Sequence, residues 1–174
     1  DTIPHLFYYN AFLILSNGTE AKVGTLGSKY EFFHEWKRLS EQEQGSVALE
    51  TMLRGICKKE NFLDLLENFI LFDHSGGHTA KILGRNHQYL GVNEAIKAYE
   101  ARKLNNGKLG VFWHTQGSGK SYSMVFLAQK IRRKFSGSPT IVILTDRDEL
   151  NTQISDTFEN CGILGKAKAS QFIA

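Results

Sequence analysis

Apolar residues crowd the stretch from Leu6 to Leu15 and recur as Ala21, Val23 and Leu26 after Asn17-Gly18. Asn-Gly between two apolar runs is a strong hairpin signal, because both residues tolerate positive φ. Two antiparallel strands are predicted here. Tyr30 to Leu39 is aromatic, and a short helix and an irregular segment both stay open for it. Glu41 to Ser46 is a polar connector. From Val47 to Phe72 the spacing turns helical: Leu49, Leu53 and Ile56 share one face, and Phe62, Leu66 and Phe69 share another. Lys58-Lys59-Glu60-Asn61 separates two helices in this pattern. Asp73-His74-Ser75-Gly76-Gly77-His78 suits neither helix nor strand, which makes it a linker and a candidate domain boundary.

The second half alternates strand-like and helix-like segments. Thr79 to Leu83 fits a short strand, and Asn86 to Leu104 fits a helix with Val92, Ile96 and Tyr99 on one face. Leu109 to Trp113 and Thr140 to Leu144 are short apolar runs of the kind that make buried strands. Between them Met124, Ala128, Ile131 and Phe135 recur at helical spacing, and a last helix carries Leu150, Ile154 and Phe158. Alternating β and α predicts an α/β fold, with a parallel sheet and crossover helices.

Between the first apolar run and its helix lies His114-Thr115-Gln116-Gly117-Ser118-Gly119-Lys120-Ser121. This reads as a phosphate-binding loop. Gly117 and Gly119 let the backbone curl so that successive N–H groups converge on an anion. Lys120 adds a positive charge for the β- and γ-phosphates, and the Ser121 hydroxyl suits the Mg²⁺ that travels with the nucleotide. The helix that follows turns its positive end to the same phosphates. Candidate nucleotide-binding residues are therefore Thr115, Gln116, Gly117, Ser118, Gly119, Lys120 and Ser121, with ATP and Mg²⁺ as cofactors. The full pattern has Gly where this chain has His114.

Composition adds bounds. The chain has 174 residues, enough for one ordinary domain or parts of two. A hydrophobic share of 41% and a charged share of 22% are those of a soluble globular protein. The net charge of +3 permits a nucleic-acid partner without requiring one. No apolar run is long enough to cross a bilayer, so no membrane partner is expected. Cys57 and Cys161 lie far apart and suggest buried thiols in a reduced, cytoplasmic protein.

Four other groupings carry possible chemistry. Thr145, Asp146 and Arg147 follow an apolar run. They fit a contact to a polynucleotide phosphate, and they equally fit a capping box with Asp146 as N-cap and Glu149 at N3. Arg85 and Gln88 precede or open a helix. A Gln amide can both donate to and accept from an adenine edge, and an Arg can stack on the base, but a polar helix start explains the pair too. Glu20-Ala21-Lys22 and Glu35-Trp36-Lys37 both spell E-x-K, a nuclease pattern that needs an upstream Asp; Asp1 is the only one available. His74 and His78 sit on the glycine-rich segment, with no cysteine near enough for a metal site.

Three segments together are similar to the restriction subunit of type I restriction-modification enzymes, a superfamily 2 helicase-like DNA translocase. Phe112 to Ser121 resembles its helicase motif I, Thr145 to Leu150 resembles motif Ia, and His87-Gln88-Tyr89 resembles its nucleotide-base segment. Ile3 to Asn10 and Ser16 to Gly24 resemble the end of its nuclease domain. The resemblance implies a partial RecA-like motor domain over 79–174, preceded by a nuclease tail over 1–45 and a helical connector and linker over 46–78. It implies an ATP-dependent translocase coupled to an endonuclease, acting on double-stranded DNA with methyltransferase and specificity subunits. It favours Arg85 and Gln88 as adenine contacts, and Thr145, Asp146 and Arg147 as DNA contacts. It places the catalytic nuclease residues before Asp1 and a DEAD-like box after Ala174, so the chain is expected to be an internal fragment that is inactive alone. Another P-loop enzyme, such as a small-molecule kinase or a non-restriction helicase, and a non-catalytic nucleotide-binding module are the alternatives.

Overall fold

The computed structural model describes residues 3–163; residues 1–2 and 164–174 lie outside that span. Two compact units emerge. One comprises Asp1–Leu71 with Ala80–Leu90, the other Phe72–Thr79 with Gly91–Ala174.

The first unit opens with a 3₁₀ turn, Pro4–Phe7, and the predicted hairpin: β1 (Leu13–Ser16) and β2 (Ala21–Gly24). Pairing is antiparallel, from Leu13 opposite Gly24 to Ser16 opposite Ala21. Four residues make the connection. Gly18 adopts φ 98°, and Asn17 Oδ1 accepts the N–H groups of Thr19 at 3.0 Å and Glu20 at 2.8 Å. The first strand starts at Leu13 rather than Leu6, because Pro4 directs the earlier residues into the 3₁₀ turn. The aromatic segment after β2 is a 3₁₀ turn, Tyr30–Phe32, followed by a bridge in which Val23 and His34 exchange backbone hydrogen bonds at 2.8 and 2.9 Å.

Both helices predicted between Val47 and Phe72 form, as α1 (Leu49–Ile56) and α2 (Lys59–Asn68). The residues after Asn68 turn extended instead, as β3 (Ile70–Asp73), which pairs with β4 (Ala80–Leu83). The Asp73–His78 segment is the connection between these strands. Val23, Trp36, Met52, Ile56, Leu65 and Phe69 are all at most 2% exposed and form this unit's core. Trp36 meets the Tyr89 ring at 5.3 Å, and Phe69 meets it at 4.8 Å. Asn61 Nδ2 caps α1 by donating to the Gly55 carbonyl at 2.8 Å.

In the second unit, α3 (Asn86–Glu100) contributes the part from Gly91 onward, joined by α4 (Lys120–Lys134) and α5 (Asp148–Asn160). Val92, Ile96, Val125, Phe126, Ile154 and Phe158 are buried. Polar ties fasten α4 to α3: Lys130 Nζ donates to Asn93 Oδ1 at 2.6 Å, and Lys134 pairs with Glu100 at 2.9 Å. Arg132, Arg133 and Lys134 occupy the last turn of α4, where cations suit the negative helix end.

Mixed helix and strand is the observed class. The parallel sheet is a different matter: the two sheets among the described residues have two strands each. Neither Leu109–Trp113 nor Thr140–Leu144 takes strand form. Gly110 has φ 105°, which breaks the pleat of the first run. Val111 is 95% exposed and Leu144 92% exposed. Parallel strands are stable when neighbours pair both edges and helices cover both faces, and these two runs form no ladder with each other. The expected capping box of α5 is also absent. Arg147 is the N-cap, no side chain bonds there, and Asp146 pairs with Arg147 at 3.7 Å instead. Cys57 is exposed rather than buried.

Gly55 illustrates how tightly the first core is packed. A Cβ there would lie 2.2 Å from the Trp36 indole nitrogen. On an open helix Gly→Ala stabilises by about 1 kcal/mol. Here the sign reverses: Gly55→Ala is expected to cost about 1–3 kcal/mol through overpacking. Urea denaturation checks this, and an unchanged or raised midpoint refutes it.

Candidate nucleotide-binding site

The loop from His114 to Gly119 is shaped by two left-handed glycines, Gly117 at φ 75° and Gly119 at φ 82°. Gly119 is the N-cap of α4, and no side chain caps that helix. Helix geometry leaves the first N–H groups of α4 without intrahelical partners. A Cβ on Gly117 would meet nothing within 4 Å, so open space borders the curl of the loop. Lys120 Nζ folds over the loop and donates to the carbonyls of His114 at 2.8 Å and Thr115 at 3.2 Å. Ser118 N–H donates to the Thr115 carbonyl at 3.3 Å, closing the turn. Ser121 stands in the first turn of the helix, half-buried. Thr115, Gln116, Gly117, Ser118, Gly119, Lys120 and Ser121 are thus brought together as one loop and helix start.

His114 occupies the position where the motif has its first glycine. Its ring stacks edge-on to Phe112 with centroids 4.5 Å apart. Phe112 in turn lies on α3 at Gly91, where a Cβ would come within 2.5 Å of it. The approach to the loop is therefore anchored by aromatic packing on a helix.

Below α4 the structure holds a polar pair that periodicity does not reveal. Tyr122 donates from its hydroxyl to Asp73 Oδ2 at 2.5 Å, and Ser75 N–H donates to Asp73 Oδ1 at 2.8 Å. Burial raises the Asp73 pKa, but the Tyr122 and Ser75 hydrogen bonds outweigh it, and the carboxyl sits below its ordinary value. Burial first, then Asp73, push the Tyr122 phenol up, so it stays a donor. Burial and the Asp73 charge also raise the Cys161 thiol to about 12, which keeps it un-ionised and unreactive at neutral pH.

Arg85 and Gln88 lie in the first unit at the start of α3. Gln88 is buried, and its Oε1 accepts the Arg85 N–H at 2.9 Å, the reciprocal half of a capping box. Neighbouring Asn86 pins the helix start to the preceding segment. Its Oδ1 accepts from Lys37 N–H at 3.2 Å and Arg38 N–H at 3.1 Å, and its Nδ2 donates to the Arg38 carbonyl at 2.8 Å. Arg85 is exposed and borders a cleft of about 410 Å³ that Lys22, His34, Glu35, Lys37 and Arg38 also line. The two E-x-K motifs come together at the hairpin edge, where Glu35 and Lys37 pair at 2.8 Å. The Lys37 hydrogen bond lowers the Glu35 pKa most; burial opposes it, and the charges of Lys37 and Lys22 lower it further. Among the described residues no three His, Cys, Asp or Glu side chains group as metal ligands. Thr145 is half-buried, and Asp146 and Arg147 are exposed just ahead of α5.

Known proteins match this chain in two ways. The SWI2/SNF2 ATPase family model matches residues 87–172, which include the loop and α4. The type I restriction enzyme HindI endonuclease subunit of Haemophilus influenzae is 38% identical over 169 residues, covering 92% of this chain and 16% of that protein. The chain belongs to the type I restriction endonuclease subunit family. Two Methanocaldococcus jannaschii proteins, provisionally named as the MjaIXP and MjaVIIIP endonuclease subunits, agree. The first is 29% identical over 99% of this chain and 18% of its own length. The second is 32% identical over 88% of this chain and 15% of its own length. The chain therefore spans under a fifth of the length of each restriction relative. No helix among the described residues is long and apolar enough to cross a membrane.

His34 supplies a pH test of the first unit. Both ring nitrogens are buried without a hydrogen-bond partner. Burial, then the Arg85 charge, lower its pKa to about 4, while the Glu35 and Leu83 backbones oppose this without reaching hydrogen-bond geometry. An unfolded histidine titrates near 6.5. Between those values the unfolded chain takes up a proton that the folded chain refuses, so stability falls as pH drops through the window. The urea midpoint is expected to fall from pH 7 to pH 5, and His34→Gln to flatten that slope. An equal slope in the variant contradicts the assignment.

Proposed function

We propose that this chain grips ATP·Mg²⁺ in the motor portion of a type I restriction endonuclease subunit. The observation that carries the reading is the uncapped start of α4, which follows two left-handed glycines with Lys120 folded over them. Main-chain N–H groups of a glycine-curled loop, a positive helix end and an ammonium group make a site for a polyphosphate. The residues fit that ligand: space borders Gly117, and no acidic side chain occupies the first turn. When bound, ATP·Mg²⁺ supplies a transferable γ-phosphoryl group whose charge the metal partly neutralises.

The chain's own residues position and stabilise. The N–H groups of Gly117 to Ser121 hold phosphate oxygens, Lys120 Nζ leaves the loop carbonyls for the β- and γ-phosphates, and the Ser121 hydroxyl orients the Mg²⁺. Catalysis of this kind rests on placement and charge rather than on covalent chemistry by the protein. For the base, Arg85 and Gln88 are the candidates, with Arg85 the freer because Gln88 Oε1 already accepts a backbone N–H. Thr145, Asp146 and Arg147 are the DNA-contact candidates, with exposed Arg147 available to a phosphate.

The relatives, named as type I restriction endonuclease subunits, support a larger reading. The intact protein couples ATP-driven translocation on double-stranded DNA to cleavage, in the cytoplasm, with methyltransferase and specificity subunits. In it, 79–174 forms the front of a RecA-like domain whose parallel sheet takes in the runs at Leu109–Trp113 and Thr140–Leu144. The 1–45 stretch ends the nuclease domain, and 46–78 connects the two.

Removing one charge-assisted partner of a phosphate costs about 1.5–3 kcal/mol, or roughly ten- to a hundredfold in affinity. Lys120→Ala in the intact subunit is expected to weaken ATP·Mg²⁺ binding by that factor and to abolish DNA-stimulated hydrolysis. Equilibrium titration with a fluorescent ATP analogue measures the first. Unchanged affinity overturns the site, whereas ATPase activity indifferent to DNA overturns the motor.

A further inference from the structure

Tyr122 stands two residues after Lys120, in the first turn of a helix that has no side-chain cap. A helix start of this kind frays unless something outside the helix holds it. Here the holding group is Asp73, only 7% exposed, which accepts the Tyr122 hydroxyl at 2.5 Å. Asp73 is itself fixed. Ser75 N–H donates to its other oxygen at 2.8 Å, and the adjacent His74 N–H donates to the Asn160 carbonyl at the end of α5 at 3.2 Å. All of these residues belong to the same compact unit.

We propose that Tyr122 is a positioning residue for the phosphate loop. Its hydroxyl, held by Asp73, sets the orientation of the first turn of α4 and so the direction in which Lys120 and Ser121 face a polyphosphate. The inference rests on the nucleotide reading of that loop and adds a residue outside the loop motif to it. Phenylalanine fills the same space but leaves Asp73 Oδ2 without the hydroxyl that donates to it. The first turn is then free to rotate, and ground-state grip on the phosphates weakens.

Steady-state ATPase kinetics of the intact subunit on duplex DNA test the idea. Tyr122→Phe and Asp73→Asn are each expected to raise the KM for ATP by about three- to tenfold with kcat little changed, the signature of lost uniform binding. Because the two residues act as one device, the double variant is expected to match the worse single one. A merely structural role lowers the fraction of active protein. In that case kcat falls and KM stays, which overturns the proposal. Additive effects of the two substitutions overturn it as well. Lys120→Ala separates the two levels. If it leaves ATP binding intact, the nucleotide site itself is wrong. If it weakens binding as expected while Tyr122→Phe leaves KM unchanged, only the role of Tyr122 is wrong.

Discussion

The proposed nucleotide site depends on the positive end of one helix whose start carries no side-chain cap. A helix of fifteen residues, α4, aligns its peptide dipoles and concentrates partial positive charge at its first turn. Most helices spend that charge on a capping side chain. This one has Gly119 as its cap residue, which contributes no side chain. No capping side chain competes for the helix end, and the flanking glycines curl the preceding backbone around the same point. Lys120 adds the only full charge in the loop from His114 to Ser121 and already has oxygen partners in the His114 and Thr115 carbonyls. An oxygen-rich anion offers stronger partners of the same kind.

The surrounding fold serves to keep that helix start in place. Phe112 lodged on Gly91 and His114 stacked on Phe112 fix the approach. Lys130 with Asn93 and Lys134 with Glu100 fasten the far end of α4 to α3. The Tyr122–Asp73 bond holds the near end. The first unit is organised separately around Trp36, wedged against Gly55 and the Tyr89 ring. Asn86 ties the start of α3 to the segment carrying Lys37 and Arg38. That unit gathers several cations around one cleft but offers no loop of converging amides among its described residues.

How much of this was legible in the sequence follows from range. Local signals read true: Asn17-Gly18 announced a hairpin, and helical spacing announced α1 to α5. What depends on partners far along the chain did not. Leu109–Trp113 and Thr140–Leu144 have strand composition, yet a strand exists only where a neighbour pairs with it. Phe72 fitted a helical period but joined β3, because a few apolar residues satisfy both periods. The Asp146 capping box matched its pattern, yet the helix began one residue later, at Asp148 after Arg147. Asp73 and Tyr122 are 49 positions apart, and nothing in the spacing of either announces the other. Asn86, similarly, looked like an ordinary helix opener and turned out to be a three-bond pin.

The most direct test is hydrogen exchange at the loop amides of the intact subunit with and without ATP·Mg²⁺. Slowed exchange at saturating nucleotide, strongest at Gly117 to Ser121, is the predicted result. Unchanged exchange across those amides, with nucleotide demonstrably bound, would contradict the account at its foundation.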